Sequence, residues 1–207
     1  AQVIGGTADV TLGAQSDWLF DEICEVWDEQ GRLKAHIPYE KGALQGTTLQ
    51  FYPNGHIERE VPYRQNLIEG ELLEYYPSSQ LKGKTTYCKG LKQGESQGLR
   101  EGGEIAWSEH YANDLLQRGS YFSPKGEIVS TVEGGFGFQT FFEDSGAFQQ
   151  IEVQKGKQEG AIKQFGQEGK LHLSYRLKND KKQGEEILYY APEETELRQA
   201  KKMAVEW

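Results

Sequence analysis

The sequence predicts an all-β fold, an elongated array of antiparallel β-hairpins with about 24 residues per repeat in a twisted single-sheet solenoid. Three observations support this prediction. Glycine is abundant, at 25 of 207 residues, and it recurs on a fixed spacing. Apolar residues alternate with polar ones over short runs, which is typical of half-buried strands. Only 36% of residues are hydrophobic, which suits a sheet without a deep globular centre.

The repeat period comes from the spacing of glycines. Segments 23–46, 47–70, 71–94 and 161–184 align, and each ends in glycine. Less regular copies cover 95–119, 120–137 and 138–160, and a partial copy begins at 185. We therefore expect residues 1–22 to be an N-terminal segment or cap, and residues 23–207 to hold seven repeats and a partial eighth. Residues 192–205 fit either a helix or the second strand of the eighth repeat.

Each repeat carries the same pattern around its two turns. One turn lies near the middle of each repeat, and an aromatic residue stands four positions before this mid-repeat turn. We expect these aromatic residues to form a structural row that fills the curl of the sheet. The row comprises Trp27, Phe51, Tyr75, Phe142, Phe165 and Tyr189. Glycines should supply the positive φ that tight hairpin turns require. The candidate turn glycines are Gly46, Gly70, Gly94, Gly160 and Gly184.

The bulk composition excludes several classes of function. A net charge of −9 argues against nucleic-acid binding and against electrostatic docking to anionic membranes. No apolar run approaches the length of a membrane helix, and no signal peptide is visible. Cys24 and Cys88 form no disulfide framework and suit a reducing compartment. These features favour a cytoplasmic location, although the chain does not begin with Met.

The residues that usually carry chemistry form no constellation. The four histidines, at positions 36, 56, 110 and 172, occupy different places in their repeats and cannot stack into a metal ladder. Glu109 and His110 are neighbours on a predicted strand, so they point to opposite faces and are expected on the solvated surface. Glu133–Gly137 is glycine-rich like a phosphate loop, but no helix follows, which favours a tight turn. We expect no enzyme activity, no metal and no cofactor.

The repeats resemble MORN repeats, in the variant class found in bacterial proteins of the antitoxin-like kind. The resemblance rests on Tyr52–Gly55 and on the Tyr-to-Gly stretches 39–46, 63–70 and 87–94. It covers roughly residues 23–190. The family implies an antiparallel hairpin array, and it includes scaffolds, dimerisation modules, proposed phospholipid binders and accessory modules of enzymes.

The function predicted from these features is a non-enzymatic scaffold for protein–protein interaction. The candidate partner-binding residues are Tyr52, Tyr76 and Tyr190, which follow the aromatic row and face the opposite side, together with Trp107. Edge strands offer a route to a homodimer. Three alternatives stay open: an antitoxin-like neutralising binder, a phospholipid-binding module, and an accessory domain of a longer enzyme. The irregular segment 95–137 is either a bend or recognition patch, or a set of repeats damaged by drift.

Overall fold

A computed structural model describes residues 2–3 and 21–189, and every regular element in these residues is a β-strand. The chain divides into two compact units, residues 1–104 and 105–207. Strands that are near one another in the sequence pair antiparallel within each unit, so the predicted all-β array of hairpins is confirmed. The stretch 192–205 and the candidate Tyr190 lie outside the described residues, as does most of the predicted N-terminal cap.

The first unit forms an antiparallel sheet in which the hairpins follow chain order, and two of its strands are each divided by a bulge into a short and a longer segment. Its strands are β1 (Gln2–Val3), β2 (Glu22–Trp27), β3 (Leu33–Glu40), β4 (Ala43–Leu44), β5 (Gly46–Phe51), β6 (Ile57–Arg64), β7 (Leu67–Ile68), β8 (Gly70–Tyr75), β9 (Leu81–Cys88) and β10 (Leu91–Leu99). β1 pairs with the free side of β2, placing Gln2 opposite Trp27. The edge of β2 is therefore covered at its last two residues.

In the second unit, antiparallel strands again pair in chain order. Its strands are β11 (Ile105–Ala112), β12 (Leu115–Phe122), β13 (Ile128–Glu133), β14 (Phe136–Phe142), β15 (Phe148–Gln154), β16 (Lys157–Phe165), β17 (Leu171–Lys178) and β18 (Lys181–Leu188). β13 pairs with β14 only at Val132 with Gly137 and Glu133 with Phe136. Beyond those two pairs β13 and β14 are not paired, so the sheet can bend sharply between these two strands.

Two kinds of turn alternate along the chain. The repeat-end turns have two central residues with positive φ, such as Lys41 (50°) with Gly42 (80°), which is the type I′ geometry that matches strand twist. The mid-repeat turns have one, such as Gly31 (73°), whose N–H donates to the Asp28 carbonyl at 3.0 Å. Both turns arise from local sequence, so the hairpin pattern follows directly from glycine, asparagine and aspartate placement.

The glycines spaced 24 apart lie in β-bulges, so their assignment to turns is wrong. Between the register pairs Tyr39–Leu44 and His36–Leu49, one strand supplies two residues and the other supplies four. Gly46 lies in this bulge with φ 99°, and the Pro38 ring packs 3.4 Å from where its Cβ would be. Positive φ holds for all five, Gly46, Gly70, Gly94, Gly160 and Gly184. The bulge places extra residues in one strand and bends it, and the bend requires a positive φ at the glycine.

The core of the first unit is a thin line of small and apolar side chains. The buried residues on the first strand of each hairpin recur every 24 positions, at Cys24, Thr48, Leu72 and Ser96. Their cross-strand neighbours continue the line, and the Thr85 and Ser96 hydroxyls are hydrogen-bonded at 2.7 Å. The repeat period therefore sets one burial position per hairpin, which explains the low hydrophobic content.

The second unit has a more compact core. Tyr111, Leu116, Tyr121, Val132 and Val153 form one buried cluster. Phe141 of β14 reaches back to Tyr121 of β12, with ring centroids 5.6 Å apart, and to Trp107 of β11 at 6.4 Å. β14 therefore packs across the inner face against strands that are not its ladder neighbours, and the sheet of this unit curls around its own side chains.

Three repeat-end turns of this unit converge. The Gly135 N–H donates to the Gln117 carbonyl at 3.1 Å, the Gly156 N–H donates to the Gly135 carbonyl at 2.9 Å, and the Leu116 N–H donates to the Gly156 carbonyl at 3.0 Å. The stretch Glu133–Gly137 is thus a tight turn with its Gly135 N–H already bonded to backbone. This geometry matches the turn interpretation of that segment.

Candidate protein-interaction site

The candidate tyrosines of the first unit connect successive repeats. The Tyr52 hydroxyl donates to the Tyr75 carbonyl at 2.8 Å, and the Tyr76 hydroxyl donates to the Leu99 carbonyl at 2.9 Å. Both side chains are half-buried. Their hydroxyl groups thus hold neighbouring hairpins together, and partner contact through their rings stays a prediction.

Trp107, the fourth candidate, lies in the second unit against the core. Its ring meets Phe141 edge to face and packs on the buried cluster of this unit. The contact of Trp107 with a partner also stays a prediction.

The structural aromatic row is half-buried at Trp27, Phe51, Tyr75, Phe142 and Phe165, and exposed at Tyr189. Phe148 lies between two members of the row and contacts both. Its ring centroid is 5.1 Å from that of Phe142 and 4.5 Å from that of Phe165. In the first unit Phe51 meets His36 edge to face at 5.3 Å.

No metal site forms among the described residues, where no group of three or more His, Cys, Asp or Glu side chains could hold an ion. The histidines serve local contacts instead. The His56 ring nitrogen lies 2.7 Å from the Pro77 carbonyl, and His36 Nε2 lies 3.1 Å from Glu25. Both cysteines in this part of the chain are free thiols, with Cys24 buried and Cys88 exposed. Residues 2–3 and 21–189 contain no helix suited to crossing a membrane.

Two phenylalanines on β14 are exposed side by side. Phe136 is 56% exposed and Phe138 is 39% exposed, and as alternate residues of one strand they point to the same face. Val129 on the adjacent β13 is also 39% exposed. We call Phe136 and Phe138 the apolar patch. Clustered exposed aromatic rings are a common feature of protein interfaces.

An open recess of about 420 Å³ lies in the same unit, between the bulge glycines Gly160 and Gly184. Its charged side chains are Arg176, Lys178 and Glu159, and the remaining lining comes from Gln154, Leu177 and Gln183. We call this the basic recess. Glu152 stands beside Gly160 but is already bonded: Ala161 N–H donates to its carboxylate at 2.7 Å, which holds the pKa of Glu152 below its usual range.

The apolar patch and the basic recess share one face of the sheet. Phe138 is the register partner of Glu152, and directly opposed residues point to the same side. Gln154 follows two positions after Glu152 and lines the recess. Neither exposed phenylalanine falls on the repeated aromatic position, and only Phe136 lies in the irregular segment 95–137 that the sequence offers as a bend or recognition patch.

Glu109 is buried on the inner face, so its expected solvated position is wrong. It is 4% exposed and accepts three hydrogen bonds. Tyr121 and Gln139 donate to Oε1 at 2.6 Å each, and Tyr111 donates to Oε2 at 2.9 Å. Gln139 in turn accepts from Gln158 at 2.8 Å. Because hydrogen-bond donors surround this carboxylate and the curled sheet covers it, the network holds β11, β12 and β14 together.

Alkaline pH is expected to weaken the second unit through Tyr121. Burial, and secondly the neighbouring Glu109 carboxylate, raises the pKa of Tyr121 far above its ordinary value. In the unfolded chain this hydroxyl ionises near pH ~10, while the folded protein holds its proton at higher pH. The stabilisation is therefore complete below about pH 10 and falls with rising pH by up to ~1.4 kcal/mol per pH unit.

Urea unfolding of the wild type and of Tyr121→Phe between about pH 8 and about pH 11 measures this contribution. The wild type should lose more stability over that range than Tyr121→Phe, since the variant retains the other tyrosines but lacks the buried hydroxyl. Equal pH dependence in the two proteins would show that Tyr121 ionisation does not contribute.

Comparison with known proteins identifies part of the repeat array. The family model described as "MORN repeat variant" matches residues 44–65 and 68–89. No curated protein matches the chain. One similar solved structure is a crystal structure of an S. aureus TarM mutant in complex with Fondaparinux, alpha-GlcNAc-glycerol and UDP. It is 9% identical with a TM-score of 0.26, and the match covers 61% of this chain but only 21% of that chain. That structural likeness is too low to support an argument. The family match shows that the chain contains two MORN repeat variants, at residues 44–65 and 68–89.

Proposed function

We propose that this chain is a non-enzymatic repeat scaffold that binds a partner protein through the apolar patch of its second unit. MORN repeats are generally modules for interaction with proteins or membrane lipids. The observation that carries the proposal is the exposure of Phe136 (56%) and Phe138 (39%) on one face of β14. Exposure of two neighbouring phenylalanine rings to water is unfavourable, and burial of these rings against a partner would stabilise the complex.

The hairpin architecture supports a binding role. The inter-repeat hydrogen bonds of Tyr52 and Tyr76 and the converging turns of the second unit fix the backbone in place. A fixed backbone presents its surface side chains without a large ordering cost on binding. An antitoxin-like neutralising role is a special case of this proposal, and it predicts a toxic partner protein that co-purifies with the chain.

Crosslinking in cells of the source organism tests the proposal. The wild type should capture a defined protein, and Phe136→Ser with Phe138→Ser should reduce its yield about tenfold or more, since central aromatic anchors dominate interface energetics. The matched control is Leu67→Ser with Leu91→Ser, which removes two exposed apolar side chains from the first unit. Undiminished capture by the phenylalanine variant, or equal loss in both variants, would contradict the proposal.

A further inference from the structure

We infer that the basic recess receives an acidic, extended segment of the partner protein. This inference rests on the proposed function, because the recess lies on the same face as the apolar patch. It adds the chemistry of the partner: carboxylate side chains that approach Arg176 and Lys178, next to an apolar side chain that packs on Phe138.

The charges in this part of the chain are the first argument. Residues 155–182 contain eight lysines and arginines against three acidic residues, in a protein whose net charge is −9. Arg176 and Lys178 are both exposed and form no ion pair with the described residues. The nearby Glu152 accepts hydrogen bonds from the Ala161 N–H and from Gln154 Nε2, each at 2.7 Å. The hydrogen bond from Ala161 and, to a smaller extent, the charge of Arg176 lower the pKa of Glu152, so this carboxylate keeps its negative charge near Arg176. The lining of the recess therefore holds two cations, Arg176 and Lys178, and one carboxylate, Glu159, with the hydrogen-bonded Glu152 carboxylate beside Gly160.

Strand geometry is the second argument, and it favours a polypeptide. Arg176 and Lys178 are alternate residues of β17 and share a face, which separates them by about 6.8 Å. An extended peptide repeats its side chains at the same spacing, so acidic residues at alternate positions can meet both cations. The bulges at Gly160 and Gly184 open a recess here instead of a flat charged surface, which suits an inserted segment better than a bilayer.

The distance to the apolar patch completes the description of the partner. β14, which carries Phe138, lies three strand positions from β17, so the two sites are roughly 14 Å apart. A partner segment that runs along β17 in the recess and then turns across the strands covers that distance in about four extended residues. We therefore expect an aromatic or aliphatic residue about four positions from the acidic pair. Long-range attraction between opposite charges would also speed the encounter.

A synthetic peptide with glutamates at two alternate positions and a phenylalanine about four residues away is the test probe. Calorimetric titration at low salt should detect binding to the wild type, and the affinity should fall as salt is added. Arg176→Glu with Lys178→Glu should weaken binding about tenfold or more, and Glu159→Gln should tighten it about twofold to threefold. The matched control, Lys34→Glu with Lys125→Glu, changes net charge equally at two exposed positions elsewhere and should stay within about twofold.

Several outcomes would overturn the inference. These are no peptide binding to the wild type, equal weakening by both charge-reversal pairs, or equal affinity for a peptide whose glutamates are replaced by glutamine. Binding to phosphatidylserine vesicles that depends on Arg176 and Lys178, without peptide binding, would assign the recess to a membrane instead. If the peptide fails but capture still depends on Phe136 and Phe138, the recess inference is wrong and the proposed function stands.

Discussion

Replacing Glu109 with alanine is expected to lower the free energy of unfolding by about 3–5 kcal/mol. The carboxylate is 4% exposed and accepts from Tyr111, Tyr121 and Gln139. Alanine would leave three buried donors without an acceptor and would open a cavity inside the curled sheet. Each unsatisfied buried group costs about 1–3 kcal/mol, which makes this the largest single-residue effect we expect in the network.

Urea unfolding followed by circular dichroism and tryptophan fluorescence measures the change, because Trp107 packs against the affected core. Glu109→Gln keeps the shape and one acceptor oxygen, so it should cost only about 1–2 kcal/mol. Glu127→Ala, an exposed glutamate of the same unit, should stay within ~0.5 kcal/mol of the wild type. A Glu109→Ala protein as stable as Glu127→Ala would show that the network contributes nothing.

The burial of Glu109 illustrates how far sequence alone can predict this molecule. Turn residues act over two to four positions, so the type I′ turns and the repeat could be predicted from local pattern. Burial of Glu109 depends on β14 reaching across the sheet to β11, a contact between residues 30 positions apart. That contact requires the loss of pairing between β13 and β14, and the irregularity of segment 95–137 allows a bend there without indicating which strands it brings together.

The spacing of the repeat does carry a signal for the burial of Glu109. Ile37, Val61 and Thr85 pair with the buried residues Cys24, Thr48 and Leu72 respectively. Glu109 stands 24 positions after Thr85, at the next equivalent place. When the repeats are aligned on this position as well as on the aromatic one, Glu109 therefore falls at a place that pairs with a buried residue in the earlier repeats.

The candidate site shows a different limit. The sequence pattern singled out Tyr52 and Tyr76 because they recur beside the aromatic row, and recurrence here reflects contacts between repeats. Phe136 lies at the end of the irregular copy 120–137 and Phe138 begins the copy 138–160, and neither is at the repeated aromatic position. A repeat pattern predicts what every hairpin needs for stacking, whereas a surface that recognises one partner breaks the pattern.

Gly137→Ala is expected to destabilise the second unit by about 3–5 kcal/mol. Gly137 has φ 144°, and a Cβ on it would collide with the Thr131 carbonyl oxygen and approach the Val132 Cα to 2.9 Å. Both obstacles are backbone, so no side chain can move aside. The strands β13 and β14 have only two register pairs here, and separating them would disturb the turn on which the curl depends.

The control is Gly126→Ala, a turn glycine with φ 81° and nothing within 4 Å of the added methyl group. This variant carries only the strain of positive φ, about 1 kcal/mol. Urea midpoints of the two variants separate the collision from the conformational strain. Because Phe136 and Phe138 flank Gly137, only Gly137→Ala should also reduce partner capture. Equal destabilisation by the two substitutions would show that the close approach of β13 and β14 is not required for folding.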